Sequence, residues 1–121
     1  VKLWGNLSFN PISVLTHATL DVLCTDPGTR AVARAMMVEA QEIAETLGVK
    51  FPISVDRRLD GGAAVGAHRT SMLQDLDLGR PLEIDALVTS VQELGQITGT
   101  PTPTIDIVLA LIKLRAQVAG A

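Results

Sequence analysis

Lys2, Asn6 and Asn10 recur at intervals of four residues, the spacing that brings side chains of successive helical turns onto one slowly rotating stripe. One ammonium and two amides within reach of each other make a stripe whose chemistry is hydrogen bonding and positive charge. Its neighbours Leu3, Trp4, Leu7 and Phe9 are apolar. A plain solvent face usually carries Glu, Gln and Arg, and asparagine is a poor helix former, so two asparagines here need another reason. The simpler alternative is an exposed face followed by Asn10 capping the next helix. A second polar concentration runs from His68 to Leu76, His-Arg-Thr-Ser-Met-Leu-Gln-Asp-Leu. Loops this dense in donors and acceptors often carry a site, because the scaffold holds them accessible. The local alternative is that Thr70 or Ser71 caps the short helix that Met72 begins. The third candidate is Arg80-Pro-Leu-Glu-Ile-Asp85. Glu83 falls in the first turn of a helix, where the dipole and free amides favour a carboxylate without any catalysis. Asp75 and Asp85 are expected in solvent or paired with Arg69 or Arg80. His68 is expected at the surface and His17 in packing or capping; no metal-ligand spacing occurs, so no metal site is expected.

The elements that must position these groups read as helices. With 121 residues, 47% of them hydrophobic, the chain can bury a core of one domain's size. Trp4, Phe9 and Phe51 are its only aromatic residues, which leaves aliphatic side chains and Met to fill the interior. Residues 2–24 form an apolar-periodic run in which Pro11 predicts a kink or a new start with Asn10 as cap. Thr25-Asp26-Pro27 predicts a sharp helix start and Gly48 its left-handed stop. Between them Ala31, Val32, Ala35, Met36, Ile43, Ala44 and Leu47 are expected on one face, and Glu39, Glu42 and Glu45 on another. Beyond Phe51-Pro52-Ile53 a segment loosened by Gly61-Gly62 leads to a polar connection over Ala67–Leu78, with Met72 and Leu76 turned inward. Helix reopens after Gly79-Arg80-Pro81, carries Leu87, Val88, Val91 and Leu94, and ends toward Gly95 and Gly99. Thr100-Pro-Thr-Pro-Thr is a rigid turn in which Thr102 or Thr104 caps a last helix from about Ile105 to Val118. Two-residue alternation is not sustained anywhere. The expectation is an all-α fold of five or six helices, one domain over residues 1–121.

A formal net charge of −3 gives no basic footprint for nucleic acid. No apolar run reaches the length of a membrane span. The single cysteine, Cys24, excludes an internal disulfide framework and suits a cytoplasmic protein. The chain opens abruptly on Val1-Lys-Leu-Trp-Gly-Asn, without a leading turn or a Met, and reads as a piece of something longer.

Lys2-x3-Asn6-x3-Asn10-Pro11, Ser71-Met-Leu-Gln-Asp-Leu76 and the Arg-x-x-Glu-Ile-Asp element at Arg80–Asp85, in this order, resemble the C-terminal domain of the ketopantoate reductase (2-dehydropantoate 2-reductase) family. Glu39 with Gly48 and the Gly-Thr-Pro-Thr-Pro-Thr turn at 99–104 extend the resemblance over almost the whole chain. It implies a helical domain of the 6-phosphogluconate dehydrogenase C-terminal type, preceded in a complete protein by a Rossmann domain that binds NADPH. The implied reaction is reduction of a 2-oxo acid, ketopantoate, to pantoate, in pantothenate and coenzyme A biosynthesis. On this resemblance Lys2 matches the general acid, and Asn6 and Asn10 match substrate-binding asparagines. Ser71 matches a residue that hydrogen-bonds the substrate. Glu83 matches the carboxylate beside the lysine and the cofactor ribose or substrate hydroxyl. The chain departs from the family in having no Gly-x-Gly-x-x-Gly after a strand, so alone it is expected to be inactive. It also reads Ala-Leu-Val-Thr-Ser after Asp85 where Asn-Gly is common, which leaves the preferred 2-oxo acid open. The rival expectation is a free-standing helical interaction domain whose apolar faces recruit a partner; self-association as a homodimer is expected from apolar surface left open.

Overall fold

The computed structural model describes residues 2–50, 53–80 and 90–120, with side chains from Ser8 onward in the first helix and up to Val118 in the last. Among the described residues there are seven helices and no strand: α1 (Lys2–Thr16), α2 (Leu20–Thr25), α3 (Pro27–Thr46), α4 (Val55–Val65), α5 (Ser71–Asp77), α6 (Ser90–Thr98) and α7 (Pro103–Gly120). The all-α expectation holds. The number exceeds five or six because the opening run divides and the polar connection supplies a helix of its own. The expected helix reopening at Pro81 and the start at Phe51-Pro52 lie outside the described residues.

Pro11 does not start a helix. α1 runs through it to Thr16, and residues 8–14 are buried without interruption. Proline removes one backbone donor, but α1 is packed by α2, α3, α5 and α7, so the burial of a whole turn on every side holds the helix in line. The break comes later, at His17, whose φ of 61° is left-handed. α2 then starts under backbone hydrogen bonds from Leu20 N to His68 O (2.8 Å) and Asp21 N to Gly66 O (3.2 Å).

α3 begins where Asp26-Pro27 predicts. The Asp26 carboxylate accepts the Thr29 N–H at 3.0 Å, and Pro27 occupies the first turn, where its missing donor costs nothing. The same turn closes α2: Arg30 Nη1 donates to Cys24 O (2.8 Å) and Thr29 Oγ1 to Leu23 O (3.0 Å). Gly48 takes the left-handed conformation of the stop (φ 86°), and Val49 N reaches back to Ala44 O at 2.8 Å. The predicted face is corrected. Ala33, Met36, Met37, Glu39, Ala40 and Ile43 are the buried residues of α3, whereas Ala31, Val32 and Leu47 are exposed. The stripe is rotated because Glu39 turns inward, for the reason given below.

The Gly61-Gly62 pair does not interrupt α4. At Gly62 an added Cβ would stand 2.6 Å from Cys24 Sγ and 3.5 Å from Phe9 Cζ; the glycine is there because α4 lies hard against α1 and α2. Leu23, Cys24, Met36, Met37, Leu59, Ile105 and Ile112 complete a core centred on α1 and α3. Gly62→Ala is therefore expected to lower stability by roughly 1–3 kcal/mol through overpacking, whereas Gly61→Ala, which meets open space, should not; urea denaturation of the two variants makes the comparison. The Thr29 backbone and side-chain hydrogen bonds hold the Asp26 carboxyl below its ordinary range. A depressed carboxyl contributes stability above its unfolded pKa and loses it as pH falls through the folded one. Asp26→Ala should thus lower Tm at neutral pH, and thermal melts at successively lower pH should show the difference disappearing below about pH 4.

Candidate functional site

The C-terminal half of α1 and the first turn of α5 are joined by a continuous hydrogen-bond chain. Thr70 is the N-cap of α5, its Oγ1 accepting the Leu73 N–H at 3.2 Å. Thr70 Oγ1 and Ser13 Oγ are 2.5 Å apart, and Ser13 Oγ donates to Asn10 O at 2.8 Å. Ser13 has one hydroxyl hydrogen and spends it on Asn10 O, so the Thr70 hydroxyl must be the donor in the bond between them. The order Leu73 N–H, Thr70 O–H, Ser13 O–H, Asn10 C=O ties the turn that carries Asn10 to the turn that carries Ser71. All three side chains, of Asn10, Ser13 and Thr70, are buried, where a satisfied polar chain is worth more than at the surface.

Two of the five sequence-predicted residues are fully described, and this chain brings their turns together. Asn10 is buried in mid-helix, which corrects both the exposed-face and the capping alternatives: α1 continues past it, and the helix has no start there. Ser71 is the first residue of α5 and is exposed. Capping is done by Thr70, leaving the Ser71 hydroxyl without a hydrogen bond among the described residues and open to a ligand. Lys2 and Asn6 are placed on α1 by its backbone, about two turns and one turn before Asn10 respectively, on the same stripe; their side chains, and Glu83 and Asp85 altogether, lie outside the described residues.

The rest of the polar segment is local structure. Arg69 pairs with Asp77, Gln74 Nε2 donates to Arg69 O at 3.0 Å, and Arg80 approaches Asp75 to 3.6 Å. His68 is exposed, as expected. His17 is exposed too and meets Arg115 at 2.7 Å through its Nε2. Among the described residues no cluster of His, Cys, Asp or Glu could hold a metal ion, and no helix is long and apolar enough to cross a membrane.

Two positions escaped sequence reasoning. Glu39 is expected to share a face with Glu42 and Glu45, yet it alone of the three is buried, and its two carboxylate oxygens accept the Thr104 and Ile105 N–H groups, each at 3.0 Å. It is the N-terminal cap of α7, supplied by another helix. The signal available was Pro103, which starts α7 two residues before the predicted Ile105 and leaves those amides needing an acceptor. Arg58 lays its guanidinium over the Phe9 ring, 5.1 Å from the centroid. Nearby, burial pushes the Cys24 thiol above its ordinary pKa, against the opposing charges of Arg58 and Arg30; it is a packing group. Removing the α7 cap with Glu39→Ala should cost roughly 1.5–3 kcal/mol, the range for hydrogen bonds to a charged group, with Glu39→Gln recovering part of it. Chemical denaturation measures both.

Residues 1–116 match the family model described as ketopantoate reductase PanE/ApbA C terminal. The chain is 65% identical over 120 residues to the 2-dehydropantoate 2-reductase of Mesorhizobium japonicum, an alignment covering 99% of this chain and 37% of that protein. The crystal structure of 2-dehydropantoate 2-reductase from Methylococcus capsulatus superposes with a TM-score of 0.86 at 31% identity, over 99% of this chain and 42% of that one. A dimeric ketopantoate reductase from Staphylococcus aureus shares the fold at 23% identity, with a TM-score of 0.78 over 98% of this chain and 42% of that one. The chain thus spans about two-fifths of the length of these relatives.

Proposed function

Because the chain belongs to the ketopantoate reductase C-terminal family, we propose that it is the substrate-binding half of an NADPH-dependent 2-oxo acid reductase acting on ketopantoate in the cytoplasm, with Lys2 as its general acid. The observation that carries this reading is the joining of the Asn10 and Ser71 turns through Ser13 and Thr70. Two segments 61 residues apart in sequence are locked together at the residues to which the resemblance assigns substrate contacts.

The described residues contain no strand and no glycine-rich turn between strand and helix, so they do not fit a dinucleotide pyrophosphate. NADPH is assigned to an N-terminal Rossmann domain of the same protein and supplies hydride when bound. This chain's own residues handle the substrate. Reduction of the ketone leaves negative charge on its oxygen, and the Lys2 ammonium at that oxygen stabilises and protonates it. Asn6 and Asn10, on the same stripe, orient hydroxyl and carbonyl groups of the substrate. Ser71 hydrogen-bonds it from the exposed start of α5. Glu83 keeps Lys2 charged by pairing with it and reaches the cofactor ribose or a substrate hydroxyl. The Staphylococcus aureus ketopantoate reductase is dimeric, which supports a homodimer here as well.

The test uses the complete protein and follows NADPH oxidation with ketopantoate. Lys2→Ala and Glu83→Ala should each lower kcat by about 10²–10⁴ with the helical circular dichroism unchanged, and Ser71→Ala should act mainly by raising KM. Near-normal turnover of Lys2→Ala would remove the lysine from its role, and absence of NADPH oxidation in the unaltered complete protein would favour the interaction-domain reading.

A further inference from the structure

α5 has few means of holding its own place. A helix of seven residues is too short to be stable by itself in water, and α1 is the one described helix against which it packs extensively. Met72 and Leu73 are buried, but apolar burial is non-directional; it sets how deep α5 sits and not how its first turn is aligned. Alignment comes from polar contacts. Two residues before the cap, His68 O accepts the Leu20 N–H at 2.8 Å, so the chain approaches α5 from a fixed point. Thr70 then bonds Ser13 across the gap to α1 and accepts the Leu73 N–H. Both hydroxyls are buried and have no part in the reaction described above. Ser71, the next residue, is exposed and takes its position from the cap beside it.

We infer that Ser13 and Thr70 are positioning residues for the 2-oxo acid site: their hydroxyl pair sets the distance and angle between the Asn10 turn and Ser71, so that one substrate molecule meets both. The inference rests on the functional reading above, in which Asn10 and Ser71 bind substrate. Each hydroxyl has one hydrogen, and the two are committed in sequence, Thr70 to Ser13 and Ser13 to Asn10 O. Without the Ser13 hydroxyl, the Thr70 O–H loses its acceptor in a buried place, where an unpaired group is costly. Relief comes from movement of the less firmly held partner. Residues 8–14 of α1 are buried and stay; the start of α5 shifts, and Ser71 shifts with it. The loss then falls on simultaneous contact with the substrate, which depends on exact placement of both groups, and not on Lys2 or on the dinucleotide. Thr70 both caps α5 and donates to Ser13. Serine at that position keeps both bonds, whereas valine keeps nearly the same shape and loses both.

The experiment is steady-state kinetics on the complete protein, well below its Tm, varying ketopantoate and NADPH in turn. Ser13→Ala and Thr70→Val should each raise KM for ketopantoate roughly two- to tenfold, the factor that one net hydrogen bond represents, with KM for NADPH and kcat moving by less than about twofold. Thr70→Ser should restore the parent KM. A double-mutant cycle separates positioning from general weakening of the fold. Once Ser71→Ala has been made, adding Ser13→Ala should raise KM no further, because the first substitution has already removed the contact through which Ser13 acts. Effects that multiply in full, an unchanged ketopantoate KM in Ser13→Ala, or kcat and both KM values worsening together overturn the inference. Hydrogen exchange needs no turnover and keeps the two readings apart. Ser13→Ala should speed amide exchange over residues 71–78 and leave α3 as in the parent; unchanged exchange over 71–78 overturns the lock. Absence of ketopantoate-dependent NADPH oxidation in the unaltered protein, with the exchange difference present, instead overturns the reductase reading and with it the role of the lock in substrate binding.

Discussion

Seven consecutive residues of α1, from Ser8 to Val14, are withdrawn from water, and three of them are polar. A helix enclosed on every side cannot leave its polar groups to solvent, so each needs a partner from the helices around it. Ser13 finds Asn10 O and Thr70, and that requirement places α5 against α1. It also explains why Pro11 sits in mid-helix without ending it: the surrounding helices over-determine the path of the chain. The stripe that begins at Lys2 therefore runs along α1 into a buried stretch, whose turn at Asn10 is fixed by hydrogen bonds rather than by loop stiffness. Asn10, proposed above to bind substrate, is held in this way by a rigid element, which is what precise orientation of a ligand demands.

Boundaries carried by local chemistry were legible in the sequence. Asp26-Pro27 and Gly48 mark the ends of α3 because their effects, a side-chain cap and a left-handed stop, act within a few residues. Thr70 and Ser71 were legible as a pair, but which of them caps was not, since either hydroxyl can do so. What stayed illegible depends on distant partners. Glu39 resembles any other solvent-facing glutamate until the start of α7 is brought to it. Gly61-Gly62 reads as a weak point until Cys24 and Phe9 are seen pressing on Gly62. The order of motifs from Lys2 through Ser71 to Arg80–Asp85 pointed to the family, and the match over residues 1–116 agrees with it. The meeting of the Asn10 and Ser71 turns needed the three-dimensional structure, because no spacing rule links positions 61 apart.

The polar inventory also sorts by depth. Arg30–Asp60 and Arg34–Asp56 lie at the surface between α3 and α4, where exposed pairs add little to stability. Ser13, Thr70 and Glu39 are buried, and there an absent partner costs far more than a present one contributes. Surface charge can therefore vary while these three positions stay constrained by the fold itself, independently of any catalytic duty.

The start of α7 is specified by a side chain 65 residues earlier in the chain. During folding this makes the last helix dependent on a long-range closure. Its first turn cannot be capped until α3 is complete and the intervening chain has brought the 99–104 turn alongside. Until that closure forms, the Thr104 and Ile105 amides at the start of α7 are without the carboxylate that accepts them in the folded chain.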